Sequence, residues 1–362
     1  MATEFIGLIA TREVSEIHPP RGPQVDPDFI GRIARAHEDA GFDRVLIGYA
    51  STAPDGGLTV AHAAREVTRL HFLLAHRPGV IAPTLAARQL ATLDQLTGGR
   101  LAVHIIAGGD DREQRRDGDY LDHAARYDRA DEYIGILRRA WTEGGAFGHA
   151  GTHYRFEDYN PAVKPVQKPH LPVYFGGASD AAIAVAARHA DVYALWGETK
   201  AQVADTIARV RAAAARQGRH IRFSLSLRPI LAATEAAAWE RAERIRATTR
   251  RLREAAGLPV AGHAPANVGS QRLLAAAGAG DRLDTRLWTG VAALTGAQGN
   301  STALVGTAAQ VAEALAEYRE LGVDIFLIRG FDPLADAIDY GRELIPLTRH
   351  LIAERERLSK AG

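Results

Sequence analysis

Eight short apolar stretches alternate with helix-forming segments along this 362-residue chain, and no other property narrows its fold as much. The stretches fall at residues 5–10, 44–49, 71–76, 101–107, 172–175, 192–196, 222–231 and 324–328. Helical patterns lie between them at 27–40, 59–68, 121–141, 180–189, 200–217 and 235–256, with a last one at 334–357. A further helix carries an apolar stripe at Leu85, Leu90, Leu93 and Leu96 and stops at Gly98-Gly99. Strands that are apolar throughout belong to parallel sheets buried on both faces. Eight strand–helix units predict an α/β chain folded as a closed (β/α)8 TIM barrel; an open sheet is the alternative that pattern alone leaves. The chain is long for one core, but a barrel with insertions holds this length as a single domain, residues 1–362. Residues 257–306, between the seventh and eighth strands, break the alternation. They are rich in Ala, Gly, Asn and Gln, include GAQGNST at 296–302, and read as an insertion with a mobile loop. A lid over the site and a passive surface insertion fit that composition equally. Residues 142–171 read as an excursion and loop.

Composition removes several chemistries. The chain has no cysteine, which excludes disulfides, thiolate nucleophiles and thiolate metal sites. Its formal net charge of +1 gives no electrostatic footprint for nucleic acid or an anionic membrane. No apolar run approaches membrane-spanning length. The opening MATEFIGLIATREVSE lacks the basic flank of a secretory signal, so a cytoplasmic protein is expected.

In a barrel of this kind the chemistry sits where strands end. The fourth strand breaks into Gly108-Gly109-Asp110-Asp111, leaving bare backbone where a ligand can approach. The fifth runs into YFGGASD at 174–180. Two glycines there permit a tight turn, Ser179 or Asp180 can cap the next helix, and its free N–H groups suit a phosphate. An ordinary capped βα turn has the same residue types. Asp110 and Asp111 lack a supporting His or Glu, so no metal site is expected. The 14 histidines form no HExxH or HxH pattern, and His104 and His123 are candidate site groups or structural histidines. A GxSxG elbow and a GxGxxG turn are both absent, arguing against serine hydrolysis and a Rossmann dinucleotide site. Trp196 ends the sixth strand as a core aromatic or a pocket wall. Arg228 alternates with Ser224 and Ser226 on one face of the seventh strand. Burying it requires an anion, either a protein carboxylate or a substrate group.

RPGVIAPTLAARQLATLDQLTGGRL at 77–101, YLDHAARY at 120–127, YFGGASD, YALWGE at 193–198, TALVG at 302–306 and GVDIFLIRGF at 322–331 together resemble the bacterial-luciferase-like flavin monooxygenases. The likeness spans nearly the whole chain and is strongest to the two-component alkanesulfonate monooxygenases. It implies reduced FMN (FMNH2) supplied by a separate NAD(P)H-dependent FMN reductase, O2 as co-substrate, a peroxyflavin oxidant and a homodimer or homotetramer. By position, the flavin phosphate should meet Gly177, Ala178 and Ser179, with Arg126 and Tyr127 holding phosphate or ribityl chain. Ala107 and Gly108 should lie beside the ring system. Arg228, Trp196 and His104 are the expected catalytic groups, as anion contact, pocket wall and proton handler. Arg12, Ser226 and Phe331 are the expected substrate contacts.

The substrate positions depart from the sulfonate-specific pattern. An Arg-Leu-His run is here Ser226-Leu227-Arg228, a loop arginine is Thr295, and a last-strand tyrosine is Phe331. A histidine after the first strand is replaced by Arg12 and a cysteine after the second by Ala53. Desolvating a sulfonate needs dedicated donors, so these changes leave several outcomes open. The expected activity is monooxygenation of a small organosulfur, sulfonate-like compound. A sulfone, a heterocycle or a flavin is the alternative substrate, and a deazaflavin-dependent hydride transfer or a non-catalytic flavin-binding protein the alternative role.

Overall fold

The computed structural model describes residues 3–259, 267–297 and 301–361. In chain order its elements are β1 (Glu4–Ile9), α1 (Pro27–Asp39), β2 (Arg44–Ile47), α2 (Gly56–Ala63), β3 (His71–His76), α3 (Pro83–Leu96), β4 (Leu101–Ile105), α4 (Asp111–Arg116) and α5 (His123–Thr142). There follow β5 (Phe147–Ala150), β6 (Arg155–Tyr159), β7 (Val173–Gly176), α6 (Asp180–His189), β8 (Val192–Trp196), α7 (Lys200–Ala215), β9 (Arg222–Leu231) and α8 (Glu235–Ala255). Last come α9 (Val268–Ala279), β10 (Arg282–Leu283), β11 (Leu287–Trp288), α10 (Gly290–Thr295), β12 (Ala303–Gly306), α11 (Ala308–Glu320), β13 (Ile325–Ile328), α12 (Pro333–Asp339), a π turn at Tyr340–Leu344 and α13 (Ile345–Ala361). Eight strands hydrogen-bond in the order β9-β13-β1-β2-β3-β4-β7-β8, and β8 pairs back to β9. This ring is the closed parallel (β/α)8 barrel that the alternation predicted.

Local chemistry sets the helix starts. Asp26 caps α1 by accepting from the Phe29 N–H at 3.0 Å, and Pro27 supplies a preset first turn. Thr307 and Gln310 form a reciprocal capping box at the start of α11.

Contacts group the chain into two compact units. The first comprises Met1–Val45, Ala194–Arg209 and Arg222–Gly362. In it β1, β13 and β9 are parallel neighbours, with Phe5 opposite Phe326 and Phe326 opposite Leu225. Strand β9 is long because it serves two ladders: residues 224–227 pair with β13, and residues 228–231 pair with β12. Helix α8 packs on that second ladder through Trp239, Ile245, Trp288, Val305 and Phe331. The second unit comprises Leu46–Tyr193 and Val210–Ile221. There β3, β4 and β7 run parallel, His104 lying opposite both Ala75 and Tyr174, and the Trp141 indole of α5 donates to the Ala87 carbonyl of α3 at 3.1 Å.

The segments read as loops hold more structure than their composition advertised. Residues 142–171 carry the antiparallel β5–β6 hairpin, closed by the aromatic cluster Phe147, Phe156 and Tyr159. The insertion contains α9, α10 and three strands, of which β11 runs antiparallel to β12. Helix α11 was absent from the pattern reading because its alanines blur the apolar stripe. The final helix is interrupted by the π turn instead of running unbroken. The loop expected over 296–302 falls partly outside the described residues. No helix among the described residues is long and apolar enough to cross a membrane.

Candidate functional site

The turn after β7, in the second unit, is built around two close approaches. Gly177 has φ +142°, and a Cβ there would stand 2.6 Å from the Ala182 methyl and 2.9 Å from the Tyr127 hydroxyl. Only glycine tolerates both. Ser179 caps α6, accepting from the Ala182 N–H at 3.2 Å. The start of α6 carries the partial positive charge of a helix N-terminus. Tyr127 is buried and its hydroxyl meets Ser179; burial raises its pKa, so it stays a neutral phenol. The Tyr193 hydroxyl donates to the Gly177 carbonyl and fixes the turn from beneath.

Arg126, on the next turn of sequence, is also buried. Its Nη1 donates to the Leu121 carbonyl at 2.7 Å and its Nη2 to Asp111 at 2.9 Å, while its Nε is buried without a hydrogen-bond partner. Asp111 itself is half exposed. The capped start of α6 and a buried guanidinium with an unmet N–H fit the phosphate end of FMN.

At the exit of β4, Ala107 and Gly108 are half-buried. Gly108 has φ +87°, and a Cβ there would collide with the buried Gln114 side chain at 2.2 Å. Asp110 caps α4 through the Glu113 N–H at 3.0 Å, which assigns one carboxylate of the Asp110-Asp111 pair to a helix start and the other to Arg126. His104 lies 6.5 Å from the Tyr174 ring, and burial pushes its pKa down to about 4. It is therefore a neutral imidazole near pH 7. His123 packs edge-on against Tyr127, 5.0 Å between ring centres.

Sequence reasoning passed over one assembly here. Arg77, 4% exposed, pairs with Glu113 at 2.6 Å and Asp117 at 3.3 Å, and lies 4.4 Å over the Tyr49 ring. The Tyr49 hydroxyl donates to Asp117 at 2.8 Å. Burial and that carboxylate push its pKa up to about 12. The available signal was the position of Tyr49 and Arg77 at consecutive strand ends.

The first unit holds the other group of candidates. Arg228 is fully buried. Its Nη2 donates to the Gly330 carbonyl at 2.9 Å, its guanidinium lies 3.5 Å over the Phe331 ring, and its Nη1 is 2.6 Å from a Glu16 carboxylate oxygen. Of the two anions that Arg228 could have faced, the structure supplies the protein carboxylate. Arg329 approaches the same oxygen at 3.5 Å. Burial alone would raise the Glu16 pKa, but Arg228 and Arg329 outweigh it and hold the carboxyl at about 2. Phe331 is thus the platform under Arg228. Ser226 is half-buried two residues away, and Arg12 reaches the Gly22 carbonyl only at 3.5 Å.

Trp196 packs against the insertion. It joins Leu273, Ala292 and Ala297, and a Cβ at Gly269 of α9 would touch its ring at 3.4 Å. Glu198 accepts two 2.7 Å bonds from Arg272 of the same helix. The YALWGE motif therefore seats the inserted helix. Thr295 is buried in α10, its hydroxyl donating back to the Val291 carbonyl. Ala53 lies exposed in the turn after β2.

The family model described as "Luciferase-like monooxygenase" matches residues 3–325. The chain belongs to that family and is a flavin-dependent monooxygenase within it. Solved structures share the fold at low identity. A riboflavin lyase with modified FMN and its substrate riboflavin superposes with TM-score 0.77 at 20% identity, covering 97% of this chain and 92% of the other. EDTA monooxygenase from Chelativorans sp. BNC1 gives 0.77 at 19%, covering 97% and 94%. An F420-dependent secondary alcohol dehydrogenase gives 0.71 at 16%, covering 96% and 99%.

Proposed function

We propose that this protein oxygenates a small organosulfur anion, using FMNH2 delivered by a separate NAD(P)H-dependent FMN reductase and O2 as co-substrate. When bound, reduced FMN would supply the electrons that activate dioxygen. Gly177, Ala178 and Ser179 would hold its phosphate with Arg126 and Tyr127, and Ala107 and Gly108 would leave room for the ring system. Neutral His104 can relay a proton, accepting one on one ring nitrogen as it gives up the other. Trp196 would wall the apolar part of the substrate, Arg228 would orient its oxyanion, and Arg12, Ser226 and Phe331 would shape the remainder. A cytoplasmic homodimer or homotetramer completes the proposal.

The observation that supports this reading is the Gly177 turn, where a positive-φ glycine packs on Tyr127 and leads into the Ser179-capped start of α6. Anaerobic titration with FMN and FMNH2 tests it. Tighter binding of the reduced form is expected; no affinity for either, or a preference for F420, overturns it. Substrate class is tested by coupling flavin reoxidation to sulfite release from short alkanesulfonates. A second reading is favoured by the Glu16–Arg228 contact. If that pair never opens, the arginine's charge is spent within the protein and the substrate is neutral, such as a sulfone or heterocycle.

A further inference from the structure

We propose that Glu16 occupies the seat of a ligand oxyanion, so that the 15–18 turn is a built-in stand-in which a small sulfonate, carboxylate or phosphate displaces from Arg228. This rests on the reading of Arg228 as the substrate-anion contact and names what must move for that contact to form.

The two partners are held very differently. Arg228 is fixed on β9 by its Gly330 hydrogen bond and the Phe331 ring. Glu16 rides on a short turn closed by two backbone bonds between Ser15 and His18, at 3.0 and 3.3 Å. That turn is pinned to the β13 exit by the Ser15 hydroxyl, which donates to the Phe331 carbonyl at 2.6 Å, and by His18 against Asp332 at 2.6 Å. The exposed Pro19 and Pro20 follow it. Lifting the turn breaks these contacts and draws Ile17 off the cluster of Trp239, Trp288 and Phe331, while the Gly330 bond of Arg228 is untouched.

The pairing is also a poor match. A carboxylate facing a guanidinium side-on normally takes two parallel N–H bonds. Here one Glu16 oxygen stands close to Nη1 but off the hydrogen-bond axis. The other oxygen is buried without a partner, and so is the Arg228 Nε. Buried polar groups left unmet in a native structure call for an explanation. An oxyanion with an oxygen aligned on Nη1 would make the hydrogen bond that Glu16 misses, and it would face Arg329 as well.

Calorimetric titration of the full-length, flavin-free protein with ethanesulfonate, propionate and inorganic phosphate tests this. Glu16→Gln should tighten at least one of these anions by about tenfold, and Glu16→Gln with Arg228→Gln should abolish the gain. The anion that gains most identifies the ligand class. Unchanged affinity for all three overturns the proposal. If Glu16→Gln fails to fold, Ile17→Cys reports on the turn with Glu16 intact, since the chain has no other thiol. Ethanesulfonate should then speed thiol labelling several-fold over sodium chloride of equal ionic strength, and an unchanged rate overturns it. Flavin titration of the same samples separates the two ideas. Wild type that binds no flavin ends the functional reading; retained flavin binding without an anion response ends only the displacement.

Discussion

Glu198 and Arg272 meet through two parallel contacts of 2.7 Å, with the carboxylate nearly buried, and this pair ties the inserted helix α9 to the end of β8. Removing one side of such a pair leaves the other charge without compensation. Glu198→Gln should cost about 2–3 kcal/mol of stability and speed proteolysis within residues 257–306. Denaturant unfolding and limited trypsinolysis check this. Equal cleavage rates in the variant and wild type would show that the pair does not hold the insertion.

Gly177→Ala should damage the phosphate turn at its tightest point. The added methyl meets Ala182 at 2.6 Å, and the backbone stands at φ +142°. FMN affinity should fall by at least about tenfold, through displacement of the turn, while far-ultraviolet circular dichroism stays native. Ser179→Ala removes the α6 cap and should cost about 1 kcal/mol. Flavin fluorescence titration and thermal unfolding report the two effects separately.

Asp111→Asn should act in the opposite direction on the flavin. Asp111 is half exposed and competes for the Arg126 Nη2 that the phosphate would use. Without its charge, FMN should bind roughly threefold to tenfold tighter. Weaker binding would mean that Asp111 orients Arg126 for the phosphate instead of competing with it.

Stability should decline steeply on mild acidification. Burial lowers the pKa of both His37 and His76 to about 4, against 6.5 when unfolded. Between those values the unfolded chain binds more protons than the folded one. The contribution is therefore complete above pH 6.5, is lost as pH falls toward 4, and levels off below it. Each histidine accounts for about 3 kcal/mol over that window. Urea unfolding at pH 7 and pH 5 should show the loss, and His37→Gln should flatten part of it. An identical pH dependence in that variant would contradict this accounting.

The barrel was legible because burial on both faces forces apolar strands, and Arg222–Leu231 was recovered to the residue. What strand pattern could not convey was partnership. Residues 228–231 continue an apolar run, yet they leave the β13 ladder for β12, a four-residue strand hidden in TALVG. The hairpin in 142–171 escaped because its polar alternation was read as turn material. For the candidate site, residue types identified the Gly177 turn and the need of Arg228 for an anion. They could not say which anion, since Glu16 lies 212 positions away in a turn without regular periodicity. Arg77 escaped for the same reason: its partner Glu113 sits on the short helix α4 and Asp117 follows its last turn, both far from Arg77 in sequence.

The register of β9 changes hands at Arg228 itself, whose N–H already bonds to Thr302 beside the insertion while its predecessor Leu227 still pairs within the barrel. Exchanging the insertion would therefore remove the carbonyl that holds this backbone N–H, while the anchors of the side chain, Gly330 and Phe331, would stay with the last strand of the cylinder.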